Sequence, residues 1–312
     1  MRLIVQRYVE AVGELSDILE RLESSLGPLT EGPVPLTGGI TNRNFRVRLG
    51  EIEYVIRRPG KDTDLLGIDR ESERLATDGA AALGIAPAVA ARIEDCLVTR
   101  FIACSAVTAQ QLAARVEEIA RALRAFHDSR VRLPTSFTIP DLLDKYLIIV
   151  RSRGGTVPAV YAQAVVVAAH IESVLPLEET RPCHNDLLAG NIICAREDGR
   201  LMIVDWEYAG MGDPRFDLGN LSINNGFDEA VDERLLSAYH GARPTDAQRA
   251  ALLLMRVLSD AREGAWGVVQ GQLSELDFDF AGYASEHFER MRATTASGDF
   301  EQWLAAAEGL RG

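Results

Sequence analysis

The sequence predicts an α+β fold with two lobes, a small N-terminal lobe built on an antiparallel sheet and a larger, mainly helical C-terminal lobe. Short strand-like runs separated by tight turns are concentrated before residue 103, whereas apolar residues recur with helical spacing after it. The chain has 312 residues, of which 47% are hydrophobic, so it is long enough to bury two substantial cores. We therefore expect one lobe over residues 1–103 and a second over residues 104–312.

The N-terminal lobe is predicted to begin with an amphipathic helix, because apolar residues recur at helical intervals between Arg2 and Leu26. The breaker-rich run from Thr30 to Pro35 is interpreted as a link between elements. Four strands and one further helix are predicted to follow, and the last two strands form a hairpin through Glu94-Asp95. These elements are strands 45–49 and 53–58, a helix over 69–83, and strands 88–93 and 97–101.

The C-terminal lobe is predicted to open with a helix whose N-cap is Thr108. Its inward face carries apolar side chains at steps of four and three residues: Leu112, Val116, Ile119, Leu123 and Phe126. His127, at the end of this helix, is interpreted as a capping or core histidine rather than a catalyst. Two further helices, over 139–150 and 158–175, lead to a strand that ends just before His184.

The composition limits the classes of partner. A net charge of −13 argues against a nucleic-acid partner and against an anionic membrane, and it favours a cationic small molecule. The cysteines have no metal-ligand spacing such as C-x2-C, which indicates reduced thiols in a cytoplasmic protein. No signal peptide and no apolar run of membrane-spanning length is evident in the sequence. The oligomeric state, monomer or homodimer, stays open.

The most informative stretch lies around residue 190. His184-x-Asp186-x4-Asn191 has the spacing of the catalytic loop of protein-kinase-like phosphotransferases, in which the Asp accepts the proton of the attacking hydroxyl and the Asn binds magnesium. The apolar run 201–204 is predicted to be a buried strand that delivers Asp205 to the same site. Asp205 would then supply a second magnesium ligand.

These residue types suit phosphoryl transfer, which depends mostly on positioning and on neutralising charge with a hard cation. We therefore predict that Asp186 and His184 are catalytic, that Asn191 and Asp205 hold Mg²⁺, and that ATP is the phosphoryl donor. Asp217, twelve residues beyond Asp205, is expected to brace the backbone of the catalytic loop. The sequence contains no G-x4-GK[ST] run, which excludes a P-loop enzyme.

Three segments together resemble the choline/ethanolamine kinase family, within the wider aminoglycoside-phosphotransferase-like group. They are His184-Asn-Asp-Leu-Leu-Ala-Gly-Asn191, Asp205-Trp-Glu-Tyr-Ala-Gly210 and Phe216-Asp-Leu-Gly-Asn220. The resemblance extends over most of the chain, from about Leu36 to Phe288. It implies a protein-kinase-like fold and the activity of a small-molecule kinase.

The resemblance also implies which residues hold the nucleotide. A glycine loop would cover the phosphates of ATP with Gly38, Gly39, Thr41 and Asn42. Arg57 takes the place of the usual phosphate-gripping lysine, and its guanidinium can fork onto two phosphate oxygens. Glu73, in preference to Glu71, would pair with Arg57. The chain at Phe101 and Ile102 would bind adenine through backbone groups.

The acceptor site is implied to lie in the C-terminal third, as an aromatic and acidic cage for an ammonium group. Aromatic faces attract a cation that cannot donate hydrogen bonds, and carboxylates add Coulomb attraction. The side chains available for the cage are Glu207, Tyr208, Trp266 and Tyr283. Two positions depart from the family pattern, because Glu263 stands in place of a further cage tryptophan and Asn224 in place of an acidic residue.

The sequence thus predicts an ATP- and Mg²⁺-dependent kinase that phosphorylates the hydroxyl of a small amino alcohol, choline first and ethanolamine second. Two alternatives stay open. One is a kinase of another small hydroxylated molecule, such as an aminoglycoside or thiamine. The other is a kinase fold without catalysis that serves as a binding module. Loss of Asp186, Asn191 or Asp205 would mark the second alternative, and all three residues are present.

Overall fold

The computed structural model of the protein describes residues 2–36, 42–60, 63–175, 177 and 179–311. Within these ranges, an antiparallel sheet dominates the N-terminal part and helices dominate the remainder. The predicted α+β fold class with two unequal lobes is therefore confirmed. None of the helices in the described ranges combines the length and the apolar character needed to cross a membrane.

The N-terminal lobe is a five-stranded antiparallel sheet in the order β1-β2-β3-β5-β4, flanked by helices. In chain order its elements are α1 (Arg2–Leu26), β1 (Leu29–Leu36), β2 (Asn42–Leu49), β3 (Ile52–Pro59), α2 (Arg70–Ala82), β4 (Val89–Ile93) and β5 (Cys96–Arg100). Leu15 and Leu22 of α1 share one buried apolar cluster with Phe45 and Ile56 of the sheet. The predicted first helix is therefore the element that closes this core.

The interpretation of Thr30–Pro35 as a link is wrong, because these residues belong to β1. Val34 lies opposite Arg46, and Leu36 lies opposite Asn44, in an antiparallel ladder with β2. β1 is one of the two edge strands of the sheet, and its register is irregular before Val34. An edge strand tolerates proline and bulges, since only one of its sides takes part in the ladder.

The C-terminal lobe surrounds two small sheets with helices. Its elements are β6 (Cys104–Ala106), α3 (Ala109–Ala114), α4 (Val116–His127), α5 (Ile139–Ser152), α6 (Val160–Val174), β7 (Arg181–Cys183), β8 (Ile192–Ala195), β9 (Leu201–Ile203), β10 (Gly210–Gly212), α7 (Pro214–Asn224), α8 (Glu229–His240), α9 (Asp246–Leu273), α10 (Phe280–Thr295) and α11 (Gly298–Ala307). The chain leaves the large sheet at Arg100 and enters the β6-β8-β9 sheet at Cys104. The division of the protein at residue 103 stays a prediction.

The single helix predicted after Thr108 is divided in two at Arg115, between α3 and α4. Thr108 does cap α3, through a reciprocal capping box with Gln111. The guanidinium of Arg115 bonds to Glu118 of α4 and to the carbonyl oxygen of Gly199, so the break is held in part by a contact outside the two helices. All of the side chains predicted to face inward are buried, so the helical periodicity survives the break.

The long helix α9 is the scaffold of the C-terminal lobe. It is capped by Thr245, again in a capping box, and it packs against α5, α6, α7, α10 and α11. Its middle part is buried on all sides, including the charged Arg262 and Glu263. A helix so enclosed can present polar side chains at fixed positions, because its own backbone cannot shift without disturbing several neighbours.

We predict that the crossing of α7 over α9 tolerates no side chain at Gly219. A Cβ atom at this position would lie 2.5 Å from the Cβ of Met255 and 2.7 Å from the Met255 carbonyl carbon. Gly219→Ala should therefore lower the free energy of unfolding by about 2 kcal/mol, measured by denaturant titration, as overpacked cores do. The control is Gly13→Ala on α1, where nothing lies within 4 Å of an added Cβ. Equal stabilities of the two variants would contradict the close packing.

Candidate active site

The backbone around residue 185 brings the predicted catalytic residues together. After β7, the chain passes through Asn185 in the left-handed region, with φ of 67°, and reaches Asp186. Asn191 precedes β8 directly, and Asp205 follows β9 with a φ of 64°. The amide of Val204 donates to the carbonyl oxygen of Asn191 at 2.9 Å. The adjacent ends of β8 and β9 therefore hold Asn191 and Asp205 next to each other.

His184 is predicted to be catalytic, but the structure places its ring inside the loop and away from the cleft. Its Nδ1 accepts a hydrogen bond from the amide of Asp186 at 3.1 Å, and its Nε2 donates to the carbonyl oxygen of Val204 at 3.0 Å. Burial lowers the pKa of His184 and keeps the ring neutral. His184 therefore ties the catalytic loop to the end of β9 and acts as a positioning residue. This corrects the prediction that His184 is catalytic.

Asp217 holds the same loop through hydrogen bonds to its backbone. Its Oδ2 accepts from the amide of His184 at 2.8 Å and its Oδ1 from the amide of Asn185 at 2.7 Å. The ring of His127 also contacts Oδ2 at 3.0 Å, and its other nitrogen contacts the hydroxyl of Tyr239. Burial alone would raise the pKa of Asp217, but these hydrogen bonds hold it below its ordinary value. Asp217 thus contacts the loop backbone as expected, and His127 is a core residue.

The donor set at the end of β8 and β9 suits a hard divalent cation. The Nδ2 of Asn191 donates to the carbonyl oxygen of Asp186 at 2.8 Å and to its Oδ2 at 3.0 Å. The amide Oδ1 of Asn191 is thereby left to act as an oxygen ligand beside the carboxylate of Asp205. Carboxylate and amide oxygens are the ligands that Mg²⁺ prefers. The residues present therefore fit the predicted metal site.

On the N-terminal side, Arg57 of β3 lies between two carboxylates. Its guanidinium pairs with Glu73 of α2 and with Asp205. Arg70 also binds Glu73, at 2.6 Å between Nη1 and Oε2. Glu71 points to solvent instead and pairs with an arginine of its own helix. Of the two glutamates considered from the sequence, Glu73 is therefore the one in contact with Arg57.

The predicted phosphate-covering loop is described only at its end, because Gly38, Gly39 and Thr41 lie outside the described residues. The Nδ2 of Asn42, the first residue of β2, donates to Oε2 of Glu207 at 2.8 Å. Glu207, predicted as a counter-charge for the acceptor, thus contacts the N-terminal lobe. Its burial, together with the nearby charge of Asp205, raises the pKa of Glu207.

A cleft of about 570 Å³ contains most of the predicted site. Its lining includes Arg57, Phe101, Ile102, Asp186, Asn191, Asp205, Glu207, Tyr208, Glu263, Trp266 and Tyr283. Asn42, Glu73 and His184 contact lining residues from behind. Asn224 does not line the cleft, which corrects its assignment to the acceptor site. It is the last residue of α7, and it is the neighbouring Asn225 that contacts the catalytic loop, donating from Nδ2 to the carbonyl oxygen of Leu187.

The end of the cleft that is predicted to bind the acceptor is formed by α9, α10 and Tyr208, the residue after Glu207. The indole Nε1 of Trp266 donates to the hydroxyl of Tyr208 at 2.9 Å, and the ring centroids of Trp266 and Tyr283 are 5.6 Å apart. The Tyr283 hydroxyl donates to Oε2 of Glu263 at 2.7 Å. α9 and α10 meet closely here, since a Cβ on Gly264 would lie 2.7 Å from a ring on α10.

The sequence reading missed Arg262, which is central to this end of the cleft. Its Nη1 bonds to Oδ1 of Asp186 at 3.1 Å and to Oε1 of Glu263 at 2.6 Å. Its guanidinium also lies over the ring of Tyr208, with Cζ 4.5 Å from the centroid. Burial raises the pKa of Asp186, and the charge of Arg262 opposes that effect. No local pattern marked this residue, because Ser259, Asp260 and Glu263 around it give the segment the polar character of an exposed helix surface.

Comparisons with known proteins identify the family of the chain. Residues 33–253 match the model of the phosphotransferase enzyme family (APH). Protein LicA of Haemophilus influenzae is 26% identical over 214 residues, which cover 66% of this chain and 62% of that protein, less than two thirds of its length. Probable choline kinase 1 of Arabidopsis thaliana is 24% identical over 332 residues, which cover 93% of this chain and 92% of the relative.

The fold of the chain is also similar to that of a solved structure. The crystal structure of a choline/ethanolamine kinase family protein from Mesorhizobium loti superposes with a TM-score of 0.76 and 30% sequence identity. The match covers 94% of this chain and 99% of that one. The similarity in fold therefore extends over nearly the whole chain.

We predict that the Asp217 brace is needed for stability as well as for the shape of the loop. Asp217→Asn replaces an oxygen with an amide group that faces backbone donors, so it should lower the free energy of unfolding by about 2–3 kcal/mol in denaturant titrations. The matched control is Asp246→Asn, whose side chain is 94% exposed at the start of α9. If both variants unfold at the denaturant concentration of wild type, Asp217 does not hold the loop.

Proposed function

The chain belongs to the phosphotransferase enzyme family, in its choline/ethanolamine kinase branch, and from this premise we propose that it transfers the γ-phosphoryl group of ATP to the hydroxyl of a small amino alcohol. Membership of the family makes it a small-molecule kinase. The observation that supports the proposal most directly is the meeting of Asp186, Asn191 and Asp205 in a cleft with carboxylate and aromatic side chains at one end.

In the proposed reaction, Asp186 accepts the proton of the acceptor hydroxyl while that oxygen forms a bond to the γ-phosphorus. The bond from the γ-phosphorus to the bridging oxygen breaks, and ADP leaves with the electron pair. Arg262 contacts Oδ1 of Asp186, and Asn191 contacts Oδ2. The carboxylate is therefore held in one orientation before the acceptor arrives, which favours a general base.

The nucleotide would lie against β3, β5 and the segment at Phe101 and Ile102, with Arg57 near its phosphates. Asn191 and Asp205 would hold Mg²⁺, which when bound neutralises charge on the phosphates. Arg57 pairs with Asp205 and Glu73, so the residue proposed to contact the phosphates adjoins the carboxylate proposed to hold the cation.

The acceptor would occupy the end of the cleft at Trp266, Tyr283, Tyr208 and Glu263. A screen of ATP consumption tests this directly, with choline, ethanolamine, the neutral carbon isostere of choline, thiamine and an aminoglycoside as acceptors. We expect turnover with the cationic amino alcohols. Equal kcat/KM for choline and its neutral isostere would reject a cationic acceptor. ADP formation with none of the compounds would reject the amino alcohol and favour a binding module.

We predict that Asp186→Asn removes most turnover but leaves ATP binding nearly intact, because the proton acceptor is lost while the phosphate contacts are kept. The kcat should fall on the order of a hundredfold or more. Steady-state kinetics with saturating ATP and acceptor measures the loss. Asp198→Asn, in the turn between β8 and β9, is the matched control and should retain wild-type kinetics. A near-normal rate in the Asp186 variant would exclude this residue as the base.

A second prediction concerns the metal. Asp205→Ala should abolish activity and should weaken ATP binding only when Mg²⁺ is present, because the cation loses its main protein carboxylate. Calorimetric titrations of ATP with and without Mg²⁺ separate the two effects. If Mg²⁺ strengthens ATP binding equally in wild type and variant, the metal is bound elsewhere.

A further inference from the structure

Arg262 is enclosed by the groups that it contacts. Only 2% of its surface is exposed, and a single atom, Nη1, bonds to both Asp186 and Glu263. The face of the guanidinium lies against Tyr208, while Nε and Nη2 have no hydrogen-bond partner within the described ranges. The residue is thus fixed by two carboxylates and one ring, and it joins the catalytic loop to the acceptor wall on α9.

A buried ion pair of this kind is weak evidence that its residues serve the stability of the fold. Taking charges out of water is costly, and well-packed apolar residues in their place are often as stable or more so. The pair also lines the cleft at the point where the base meets the acceptor end. An effect on the reaction therefore explains its position better than an effect on folding.

The charges of these three residues do not balance. Asp186 and Glu263 carry one negative charge each, and Arg262 carries one positive charge, so one negative charge is uncompensated within the group. The Tyr283 hydroxyl donates to Glu263 without adding charge. A monocation placed against Trp266 and Tyr283 would be attracted by both carboxylates and repelled by Arg262, which line the same cleft.

We propose that Arg262 is a positioning residue that orients Asp186 for proton transfer and that, by its charge, limits how tightly the cationic acceptor binds. This inference rests on the proposed function, since it requires a cationic acceptor. Two neighbouring residues then have opposite effects on the acceptor. Arg262 raises kcat but lowers the affinity for the cationic acceptor, whereas Glu263 increases that affinity.

The test is the steady-state kinetics of Arg262→Ala with the best acceptor from the screen. The kcat should fall on the order of a hundredfold, as misplacement of a catalytic group by about 1 Å does. The KM for the cationic acceptor should fall by about five- to tenfold, because one repelling charge is removed at close range. The KM for ATP should not change. Loss of folded protein would lower kcat alone and would leave the acceptor KM unchanged.

Glu263→Gln is the reciprocal variant and should raise the acceptor KM by about tenfold with a smaller effect on kcat. Arg256→Ala is the matched control: Arg256 lies on the same helix and pairs with the buried Asp232, away from the cleft. Its kinetics should equal those of wild type even if its stability is lower. Added guanidinium should restore part of the kcat of Arg262→Ala and should not stimulate wild type or Arg256→Ala.

Arg262→Lys keeps the test decisive if the alanine variant fails to fold. Lysine retains the positive charge but lacks the planar fork, so kcat should fall while the acceptor KM stays near the wild-type value. An unchanged kcat in both Arg262 variants, or an acceptor KM that rises in Arg262→Ala, overturns the inference. Failure of the proposed function is distinct, because wild type would then turn over no amino alcohol at all.

Discussion

The buried carboxylate of Asp217 is the interaction on which the site depends. It accepts hydrogen bonds from two backbone amides of the catalytic loop and contacts His127, so the loop is attached to the first turn of α7. α7 in turn is held to α9 by the close approach at Gly219 and by a hydrogen bond of 3.0 Å from Asn220 to Ser259. The orientation of Asp186, the proposed base, is therefore set by helix packing well outside the cleft.

α9 connects this brace to the acceptor wall. Ser259 contacts α7, and Arg262, Glu263 and Trp266 follow within two turns of the same helix. Side chains three and four residues apart share one face of a helix, so one rigid element spaces the brace, the base and the acceptor pocket. Charged residues in the buried middle of a helix are costly unless paired, and here Arg262 pairs with Glu263 of the same helix and with Asp186 of the catalytic loop.

Whether a structural feature can be predicted from the sequence depends on how far apart along the chain the interacting residues lie. Short motifs fix the spacing of Asp186, Asn191 and Asp205, so their meeting in one cleft could be predicted, and the resemblance to a family predicted the contact of Arg57 with Glu73. β1 was missed, since an edge strand tolerates the breakers that usually mark a link. The buried role of His184, the distance of Asn224 from the cleft and the contacts of Arg262 depend on tertiary packing, which spacing along the chain does not encode.

The absence of a side chain at Gly264 also bears on how this enzyme scaffold can be redesigned. A Cβ atom at Gly264 would lie 2.7 Å from the ring of Phe288 on α10, so α9 cannot move closer to this ring without a collision. The size of the proposed acceptor pocket, beside Trp266 and Tyr283, is thus set by the packing of these two helices. The acceptor preference can therefore be changed by substituting side chains at a few positions. Loop grafting or displacement of a helix would cause steric clashes.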